Sequence, residues 1–366
     1  MNFEIAQRAT KDAASRPVIV DCDIHPLGEA KDLLPYLSQR WREHAQSYGL
    51  LPRHGFQSGP AYPKGQPDAA RLDSWPPEGR PGSDLAFMQK QHLDFNNVEL
   101  GVMTMISPAA GAAQNMDYGA ALARAMNEWQ VAEWTSKEAR LKASIVIPYE
   151  DPPAAVAEIE HWAGHRDFAQ VLILSRTAEP LGQRKYWPIL AAAERAGLPI
   201  AVHAFGYGGF PVTGGGWPSY YMEEMVGHAQ CCQALLSSLV LEGVFERFPG
   251  LRVLLIEAGV AWLPSLMWRL DKHQARLASE TPQLKRRPSD YIREHVWLTT
   301  QPMEEPERRK HFHDMVEWIG IDRLLFATDY PHWDFDDPVW SLPVRLDDTA
   351  RQALFRDNAR KFYGLA

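Results

Sequence analysis

The chain has 366 residues, of which 45% are hydrophobic, so it is long enough to enclose one large core or two smaller ones. Its formal charge of −8 argues against nucleic acid as a partner. No window approaches the roughly 18 continuous apolar residues of a membrane span, and the N-terminus lacks the apolar segment of a signal peptide. We therefore expect no membrane association. Three cysteines, two of them adjacent, form no disulfide framework, and the simplest compartment is a reducing cytoplasm.

Eight strand-like runs divide the sequence. Most are continuously apolar rather than alternating, which is typical of parallel strands covered on both faces. The runs are 18–23, 98–106, 141–148, 169–175, 198–204, 251–259, 295–300 and 322–329. Helix-like stretches lie between or after them at 120–139, 152–165, 185–197, 223–249, 264–278, 304–320 and 348–364. Eight β–α units over this length predict an α/β fold, a (βα)8 TIM barrel that spans 1–366 as a single domain.

The rival fold is a doubly wound open sheet. Such a sheet often carries a glycine-rich phosphate turn after its first strand, and the sequence HPLGEAKD that follows the first run has none. The number of strands also favours the barrel, because an open doubly wound sheet usually has fewer.

Two loops are expected to be long. Residues 51–83 hold seven prolines and five glycines and form an insertion in the first βα loop. Residues 206–216 hold six glycines and follow the fifth strand. Loops of this length inside a compact domain are usually lids, binding loops or disordered insertions. We expect both to cover the mouth of the barrel, and residues 1–16 to be an N-terminal extension.

The first strand ends in DCDIH, an unusual ending for a buried strand. Because side chains two apart on a strand share a face, Asp21, Asp23 and His25 are expected to point the same way. Cys22 and Ile24 are then expected on the opposite face. A carboxylate beside an imidazole favours a metal-ligand pair. The alternative for this stretch alone is a helix-capping aspartate followed by a surface histidine.

Residues of the same kinds end other predicted strands. His203 ends the fifth, Glu257 the sixth and Asp329 the eighth. In a closed barrel the carboxyl ends of the strands meet at one face, and the first strand lies beside the eighth. We therefore predict one metal site with the ligands Asp23, His25, His203 and Asp329. Two imidazoles and two carboxylates suit a divalent ion, with Zn²⁺ as first choice and Mn²⁺ or Fe²⁺ as alternatives.

Four residues near this site are candidates for catalysis. Asp329 can orient or deprotonate a metal-bound water, and Glu257, if desolvated, is expected to have a raised pKa and to act as a general acid. His332 is either a partner of the site or a turn residue on the surface. His228 lies among apolar helix residues, so it either packs in the core or contacts the substrate.

Two further residues are candidates for substrate binding. Arg176 ends the fourth strand and can bind a substrate carboxylate. Trp217 lies in a loop near the predicted mouth, where it either lines an apolar substrate pocket or pins the loop. Both predictions depend on loop geometry.

The sequence resembles the metal-dependent amidohydrolase superfamily, in the branch that includes aminocarboxymuconate-semialdehyde decarboxylase. The resemblance runs from about Val18 to Tyr363. It rests on DCDIHP, RLKASIVIPYEDPPAAVAE, YWPILAAAERAGLPIAVHA, RLLFATDYPHWD, DNARKFYG and, most specifically, GVFERFPGLRVLLIEAGVAWLPSLMWRLD. It implies metal-ligand positions at Asp23, His25, His203 and Asp329, a small-molecule substrate and a homodimer.

The sequence departs from the pattern of that superfamily at two places. The resemblance implies that decarboxylases of the branch carry a histidine after the sixth strand as proton donor and base, where this sequence has Glu257. Binuclear relatives often use a carbamylated lysine at the end of strand four, where this sequence has Ser175 and Arg176. One metal ion is therefore expected.

Three functions remain open at this point. The first is a metal-dependent hydrolase that uses a metal-activated water on an amide, ester, lactone or C–C bond of a small carboxylated or aromatic substrate. The alternative is a metal-dependent non-oxidative decarboxylase of an aromatic or unsaturated acid. The third is a barrel that binds metal or ligand without turnover.

Overall fold

The computed structural model describes residues 16–49, 69–108, 110–204 and 211–365. Their backbone forms one sheet of eight parallel strands in the order of the sequence. The strands are β1 Ile19–Ile24, β2 Val98–Met103, β3 Leu141–Val146, β4 Phe168–Leu174, β5 Ile200–His203, β6 Val253–Ile256, β7 Val296–Thr299 and β8 Leu324–Leu325. All eight predicted strands are present. Most are shorter than predicted, because the last residues of each run already belong to the loops at the mouth.

Hydrogen bonds between β1 and the end of β8 close the barrel. The backbone N–H of Cys22 donates to the carbonyl oxygen of Phe326 at 3.0 Å, and that of His25 donates to Tyr330 at 2.8 Å. Ile24 and Tyr330 also form a parallel bridge. The predicted (βα)8 TIM barrel is therefore confirmed, and the first and last strands are neighbours as the metal-site prediction requires.

Helices cover the outside of the barrel. The α-helices are α1 Ala30–Leu33, α2 Gln39–Tyr48, α3 Leu85–Met88, α4 Met116–Trp129, α5 Pro152–Trp162, α6 Trp187–Ala196, α7 Tyr221–Leu241, α8 Val244–Arg247, α9 Trp262–Gln274, α10 Pro288–His295, α11 Arg309–Ile319, α12 Asp348–Gln352 and α13 Asn358–Tyr363. The predicted helix 223–249 is divided at Gly243, whose φ of 75° favours glycine. Among the described residues, no helix is both long enough and apolar enough to span a bilayer.

The strands carry two separate apolar layers. The inner cluster contains residues from strands on opposite sides of the barrel, so it fills the barrel interior; it includes Val20, Cys22, Ala201, Leu254, Ile256 and Leu325. The larger cluster lies between the strands and the surrounding helices. Both are buried, which explains why the strand sequences are continuously apolar.

The alternation of side chains along β1 breaks near its end. The register of β1 against β2 shifts between Asp21 and Ile24. Val20 and Cys22 face the barrel interior, whereas Ile24 packs in the outer layer with Ile19. A bulge of this kind re-aims the following side chains.

The break separates Asp21 from the other two polar residues of DCDIH. Asp23 and His25 face the mouth of the barrel, while the carboxylate of Asp21 accepts a hydrogen bond from His92 Nε2 at 2.8 Å, on the helical side. Thr328 also donates to Asp21 through its backbone N–H at 2.9 Å. The prediction that Asp21 shares a face with Asp23 and His25 is wrong, because regular alternation does not hold through the bulge.

Two long loops were predicted to cover the mouth of the barrel. Parts of both, residues 51–68 and 206–210, lie outside the described residues. The described end of the first segment lies beside the end of β8. There Arg71 N–H donates to the Pro331 carbonyl oxygen at 3.0 Å, and Trp333 N–H donates to Ala69 at 2.8 Å. The described part of the first loop therefore lies at the mouth, and cover by the whole loop stays a prediction.

Candidate metal centre

The four predicted ligands meet at the mouth of the barrel. His25 Nε2 lies 3.3 Å from Asp23 Oδ1 and 3.0 Å from Asp329 Oδ1. His203 Nε2 lies 3.6 Å from Asp23 Oδ2. All four side chains are buried. Ligand bonds of about 2.0–2.2 Å to one ion place the ligand atoms within roughly 4 Å of each other. Each of these three pairs has the spacing for a divalent cation, although the four predicted ligands do not all fall in one group within 4.8 Å.

Glu257 and His332 belong to the same cluster. Glu257 Oε2 lies 3.4 Å from His203 Nε2, and its Oε1 lies 3.8 Å from His25 Nε2. His332 Nδ1 lies 3.8 Å from Glu257 Oε1 and 2.5 Å from Asp329 Oδ1. The potential ligand atoms form two groups, each within 4.8 Å, namely Asp23, His25, His203 and Glu257, and His25, Glu257, Asp329 and His332. Glu257 was predicted near the site as a catalytic residue, and the geometry also makes it a possible ligand.

Buried polar atoms without partners support a cation at this place. Asp23 Oδ2, His25 Nε2 and His203 Nε2 are buried and make no hydrogen bond. Such atoms are costly unless something satisfies them, and a divalent cation does so for all three. His25 Nδ1 lies 2.9 Å from the Thr104 carbonyl oxygen. A bond donated there by Nδ1–H leaves the Nε2 lone pair to face the centre, as metal-ligating histidines require.

The centre is strongly charged without a cation. Burial lowers the pKa of a histidine, but at His25 the Asp23 carboxylate outweighs it and the pKa is raised to about 9. At His203 the carboxylates of Glu257 and Asp23 likewise overcome burial and raise the pKa to about 10. Burial also opposes the ionisation of Asp23, yet the two imidazoles hold its pKa well below the usual range. The imidazoles therefore carry protons at neutral pH when no cation is bound.

The two other carboxylates have opposite pKa shifts. Burial raises the pKa of Glu257, but the facing imidazoles, first that of His203, hold it well below the usual range. The expectation of a raised pKa at Glu257 is wrong, because the sequence does not show that imidazoles face this carboxylate. The pKa of Asp329 is instead raised by burial and by the negative charge of Glu257.

Glu257 and Asp329 have an unusual backbone conformation. Their φ angles of 53° and 62° lie in the left-handed region, which costs a non-glycine residue about 1–3 kcal/mol. Hydrogen bonds hold both turns, from Glu257 N–H to Thr299 Oγ1 at 3.1 Å and from His332 N–H to the Asp329 carbonyl oxygen at 2.8 Å. Strain of this kind clusters at functional sites, where surrounding contacts maintain it.

A cavity of about 270 Å³ opens above the cluster. The ligand cluster forms part of its lining, and Arg80, Ile106, Tyr221, Glu224, Met225 and His228 belong to the rest. His228 Nδ1 is buried without a hydrogen-bond partner. Burial lowers the pKa of His228 to about 4, so its imidazole is neutral at physiological pH. Sequence analysis left two roles open for His228, core packing or substrate contact. Its position on the cavity wall favours a substrate contact.

Neither predicted substrate-binding residue is among the described residues that line the cavity. Arg176 is half-buried, and its guanidinium interacts electrostatically with Cys231 and Tyr149. Trp217 is 43% exposed. Arg80 of the first loop lines the cavity instead. Sequence analysis missed Arg80 because the proline- and glycine-rich segment has no periodicity. It also missed Thr104, whose hydroxyl donates to Asp23 Oδ1, although a polar residue at the end of an apolar strand was a detectable signal.

Gly82 packs directly against the backbone of a predicted ligand. A Cβ atom at Gly82 would lie 2.4 Å from the carbonyl oxygen of His25, and its φ is 79°. We expect Gly82→Ala to displace His25 and to weaken Mn²⁺ binding about 10- to 100-fold, the usual effect of disturbing the support of a ligand. Gly164→Ala is the matched control, since Gly164 has φ 78° but no atom within 4 Å of its added Cβ. Equal Mn²⁺ affinities of the two variants in a chelator competition would contradict this.

The fold and the site together are those of a (βα)8-barrel metalloenzyme, with candidate histidine and carboxylate ligands at the carboxyl ends of the strands. The sequence profile of the Amidohydrolase family matches residues 20–365. The chain therefore belongs to the amidohydrolase family, and the resemblance inferred from its motifs is confirmed.

Three proteins illustrate what the chain is similar to. It is 26% identical over 301 residues to the gamma-resorcylate decarboxylase of Rhizobium sp. (strain MTP-10005), which covers 77% of this chain and 88% of the relative. The structure of 2,6-dihydroxybenzoate decarboxylase from Rhizobium has a TM-score of 0.68 and 21% identity, covering 95% of this chain and 99% of that one. The 5-carboxyvanillate decarboxylase of Novosphingobium aromaticivorans, complexed with manganese, has a TM-score of 0.69 and 19% identity, covering 95% and 96%. At these identities the two structures show the fold alone.

Proposed function

We propose that this protein is a metal-dependent non-oxidative decarboxylase of a hydroxylated aromatic carboxylic acid. The observation that carries the proposal is the sequence similarity to gamma-resorcylate decarboxylases, which extends over 301 residues and 77% of this chain. This similarity supports decarboxylation, the alternative of the sequence analysis, better than the hydrolysis that it put first. Hydrolysis has support from membership of the superfamily and from Glu257, which stands where decarboxylases of the branch carry a histidine.

We propose Mn²⁺ rather than Zn²⁺ as the catalytic cation. A related decarboxylase structure contains manganese, and the centre offers oxygen and imidazole nitrogen ligands without thiolate, a set that suits Mn²⁺. Asp23, His25, His203 and Asp329 would hold this cation, with Glu257 beside them. When bound, the cation supplies positive charge that binds and polarises the oxygen atoms of the substrate.

The cavity lining is suited to a small aromatic acid. Ile106 and Met225 supply apolar surface, against which a ring can pack. Arg80 supplies a guanidinium, which pairs well with a carboxylate. The neutral imidazole of His228 offers an unpartnered Nδ1 to a ring hydroxyl. We infer that these residues orient the ring above the ligand cluster.

Decarboxylation requires a proton for the ring carbon that loses its carboxylate. Asp329 Oδ1 and His332 Nδ1 lie 2.5 Å apart, within hydrogen-bond distance. We infer that this pair delivers the proton to the ring carbon, after which the C–C bond breaks, its electron pair returns to the ring and CO₂ leaves. The His332 side chain is 18% exposed, so the pair can regain a proton from water.

The test uses Mn²⁺-loaded protein with a panel of hydroxybenzoates labelled with ¹³C in the carboxyl group. We expect release of ¹³CO₂ and, in D₂O, one deuterium at the vacated ring carbon. Protein stripped of metal by a chelator is the control and is expected to be inactive. Cleavage of ester, amide or lactone substrates without any CO₂ from the panel would contradict the proposal and favour the hydrolase.

A further inference from the structure

Asp21 is a buried carboxylate that belongs to neither ligand group of the metal centre. Its Oδ1 accepts hydrogen bonds from the backbone N–H of Asp23 at 3.2 Å and from that of Thr328 at 2.9 Å. Its Oδ2 accepts from the Thr328 hydroxyl at 2.5 Å and from His92 Nε2 at 2.8 Å. Asp23 is a predicted ligand in β1, and Thr328 precedes another, Asp329, after β8. Asp21 therefore joins the ends of these two strands beside two predicted ligands.

His92 stands in a chain of hydrogen bonds whose direction is fixed. The guanidinium of Arg16 can only donate, and its Nη1 bonds Asn96 Oδ1 at 2.8 Å. The amide of Asn96 therefore turns its Nδ2 to His92 Nδ1, 3.0 Å away. Because Nδ1 accepts this bond, the ring proton of His92 is on Nε2, which donates it to Asp21. The buried residues Arg16 and Asn96 thus set the tautomer that His92 presents to Asp21.

His92 also contacts the end of β8 directly. Its ring stacks on that of Tyr330, with the ring centroids 4.6 Å apart and the planes 8° apart. Tyr330 follows the predicted ligand Asp329, and its carbonyl oxygen accepts the backbone N–H of His25 at 2.8 Å. A π-helical turn over Gln89–Asp94 carries His92 to this position. Such turns occur frequently at functional sites.

We propose that His92 is a positioning residue of the metal centre, which holds the ends of β1 and β8 in place through Asp21 and Tyr330. It supports both chain neighbours of Asp329. Thr328 is held through Asp21, and Tyr330 is held by the ring stack. Groups behind a ligand residue orient it before the cation binds. The inference rests on the proposed function only for the choice of Mn²⁺ and for the kinetic readout.

His295 is a matched histidine elsewhere in the fold. It is also buried, and its ring stacks on that of Phe245 with the centroids 4.6 Å apart and the planes 11° apart. Its Nδ1 lies 2.8 Å from the carbonyl oxygen of Leu251. His295 directly precedes β7, so it lies at the end of the barrel opposite the mouth. Phenylalanine at His92 or at His295 keeps a buried aromatic stack and removes a hydrogen bond, but only the change at His92 is expected to affect the centre.

The experiment measures Mn²⁺ affinity of the full chain by chelator competition, together with the Tm of each metal-free variant. We expect His92→Phe to weaken Mn²⁺ binding about 10- to 100-fold. His92→Gln is expected to retain most of the affinity, because its amide keeps one donor and one acceptor. His295→Phe is expected to bind Mn²⁺ like the wild type even where its Tm is lower. Wild-type affinity of His92→Phe, or an equal loss in His295→Phe, would overturn the proposal.

Thr328→Val keeps the result decisive if His92→Phe does not fold. This variant removes the other side-chain donor to Asp21 at nearly constant volume, and we expect it to weaken Mn²⁺ binding as well. Wild-type affinity of Thr328→Val would then overturn the proposal. Nitrogen NMR of metal-free protein labelled with ¹⁵N-histidine is a readout that does not depend on the cation. A resonance of His92 with its proton on Nδ1 would contradict the hydrogen-bond chain.

Kinetics of CO₂ release separate this inference from the proposed function. We expect His92→Phe at saturating Mn²⁺ to lower kcat and to leave KM nearly unchanged, because the cavity residues Arg80 and His228 keep their places. A raised KM with wild-type kcat would contradict positioning of the centre. Weakened Mn²⁺ binding in His92→Phe without CO₂ release by the wild type would contradict only the decarboxylase. CO₂ release by the wild type with unchanged Mn²⁺ affinity in the variant would contradict only the role of His92.

Discussion

Replacing Asp329 by asparagine is expected to lower kcat/KM for CO₂ release at least about 10³-fold, within the range of 10²- to 10⁴-fold that positioned proton transfer contributes. The carboxylate is a predicted cation ligand, 3.0 Å from His25 Nε2, and its Oδ1 lies 2.5 Å from Nδ1 of His332, its partner in the proposed proton transfer. An amide of the same size keeps the packing but neither the negative charge nor the acidic proton. Steady-state kinetics of ¹³CO₂ release at saturating Mn²⁺ measures the effect.

The matched control for this variant is Asp322→Asn, because Asp322 is exposed on the outside of the barrel and its carboxylate lies 3.3 Å from Nε of Arg323. We expect this control to retain full activity. Metal content of both variants separates loss of the cation from loss of the proton. Asp329→Asn protein that releases CO₂ at the wild-type rate would remove Asp329 from the mechanism.

The barrel could be predicted from the sequence because parallel strands covered on both faces must be apolar along their whole length. The same geometry explains why four candidate ligands could be proposed together. In a (βα)8 barrel, polar side chains at the carboxyl ends of the strands converge on the common mouth. His203 and Asp329 lie far apart in the chain, yet the fold places His203 beside Asp23 and Asp329 beside His25.

The failures of sequence analysis have local causes. Asp21 was placed with Asp23 on the basis of regular alternation, and a register shift in β1 reverses that alternation. The pKa of Glu257 depends on the imidazoles around it, which a single strand does not show. Arg80 rather than Arg176 lines the cavity, because the direction of a loop side chain depends on tertiary contacts.

The ligand set alone does not decide between hydrolysis and decarboxylation. A cation held by imidazoles and carboxylates can activate a water or bind a substrate oxygen, so the same residues suit hydrolysis and decarboxylation. The deciding groups are those that supply or accept a proton. Glu257 is held ionised by its neighbours, so our proposal assigns the proton-donor role to the pair of Asp329 and His332.

The affinity of the centre for its cation is expected to rise steeply with pH. The carboxylates raise the pKa of His25 to about 9 and that of His203 to about 10, so both imidazoles are protonated at pH 7 to 8 in the metal-free protein. A cation must displace both protons before it can bind the Nε2 atoms. We therefore expect the apparent association constant for Mn²⁺ to increase about 100-fold per pH unit below pH 9, and to level off above the two pKa values.

Calorimetry in buffers of different ionisation enthalpy measures this effect at less than one equivalent of Mn²⁺. We expect about two protons to be released per cation near pH 7.5. His228→Asn is the control. Burial lowers the pKa of His228 to about 4, so its imidazole is already neutral near pH 7.5 and does not contribute to proton release. Its slope against pH should equal that of the wild type. Release of less than one proton would mean that the imidazoles are neutral before the cation binds. That result would contradict the claim that the carboxylates raise the pKa values of His25 and His203 above neutrality.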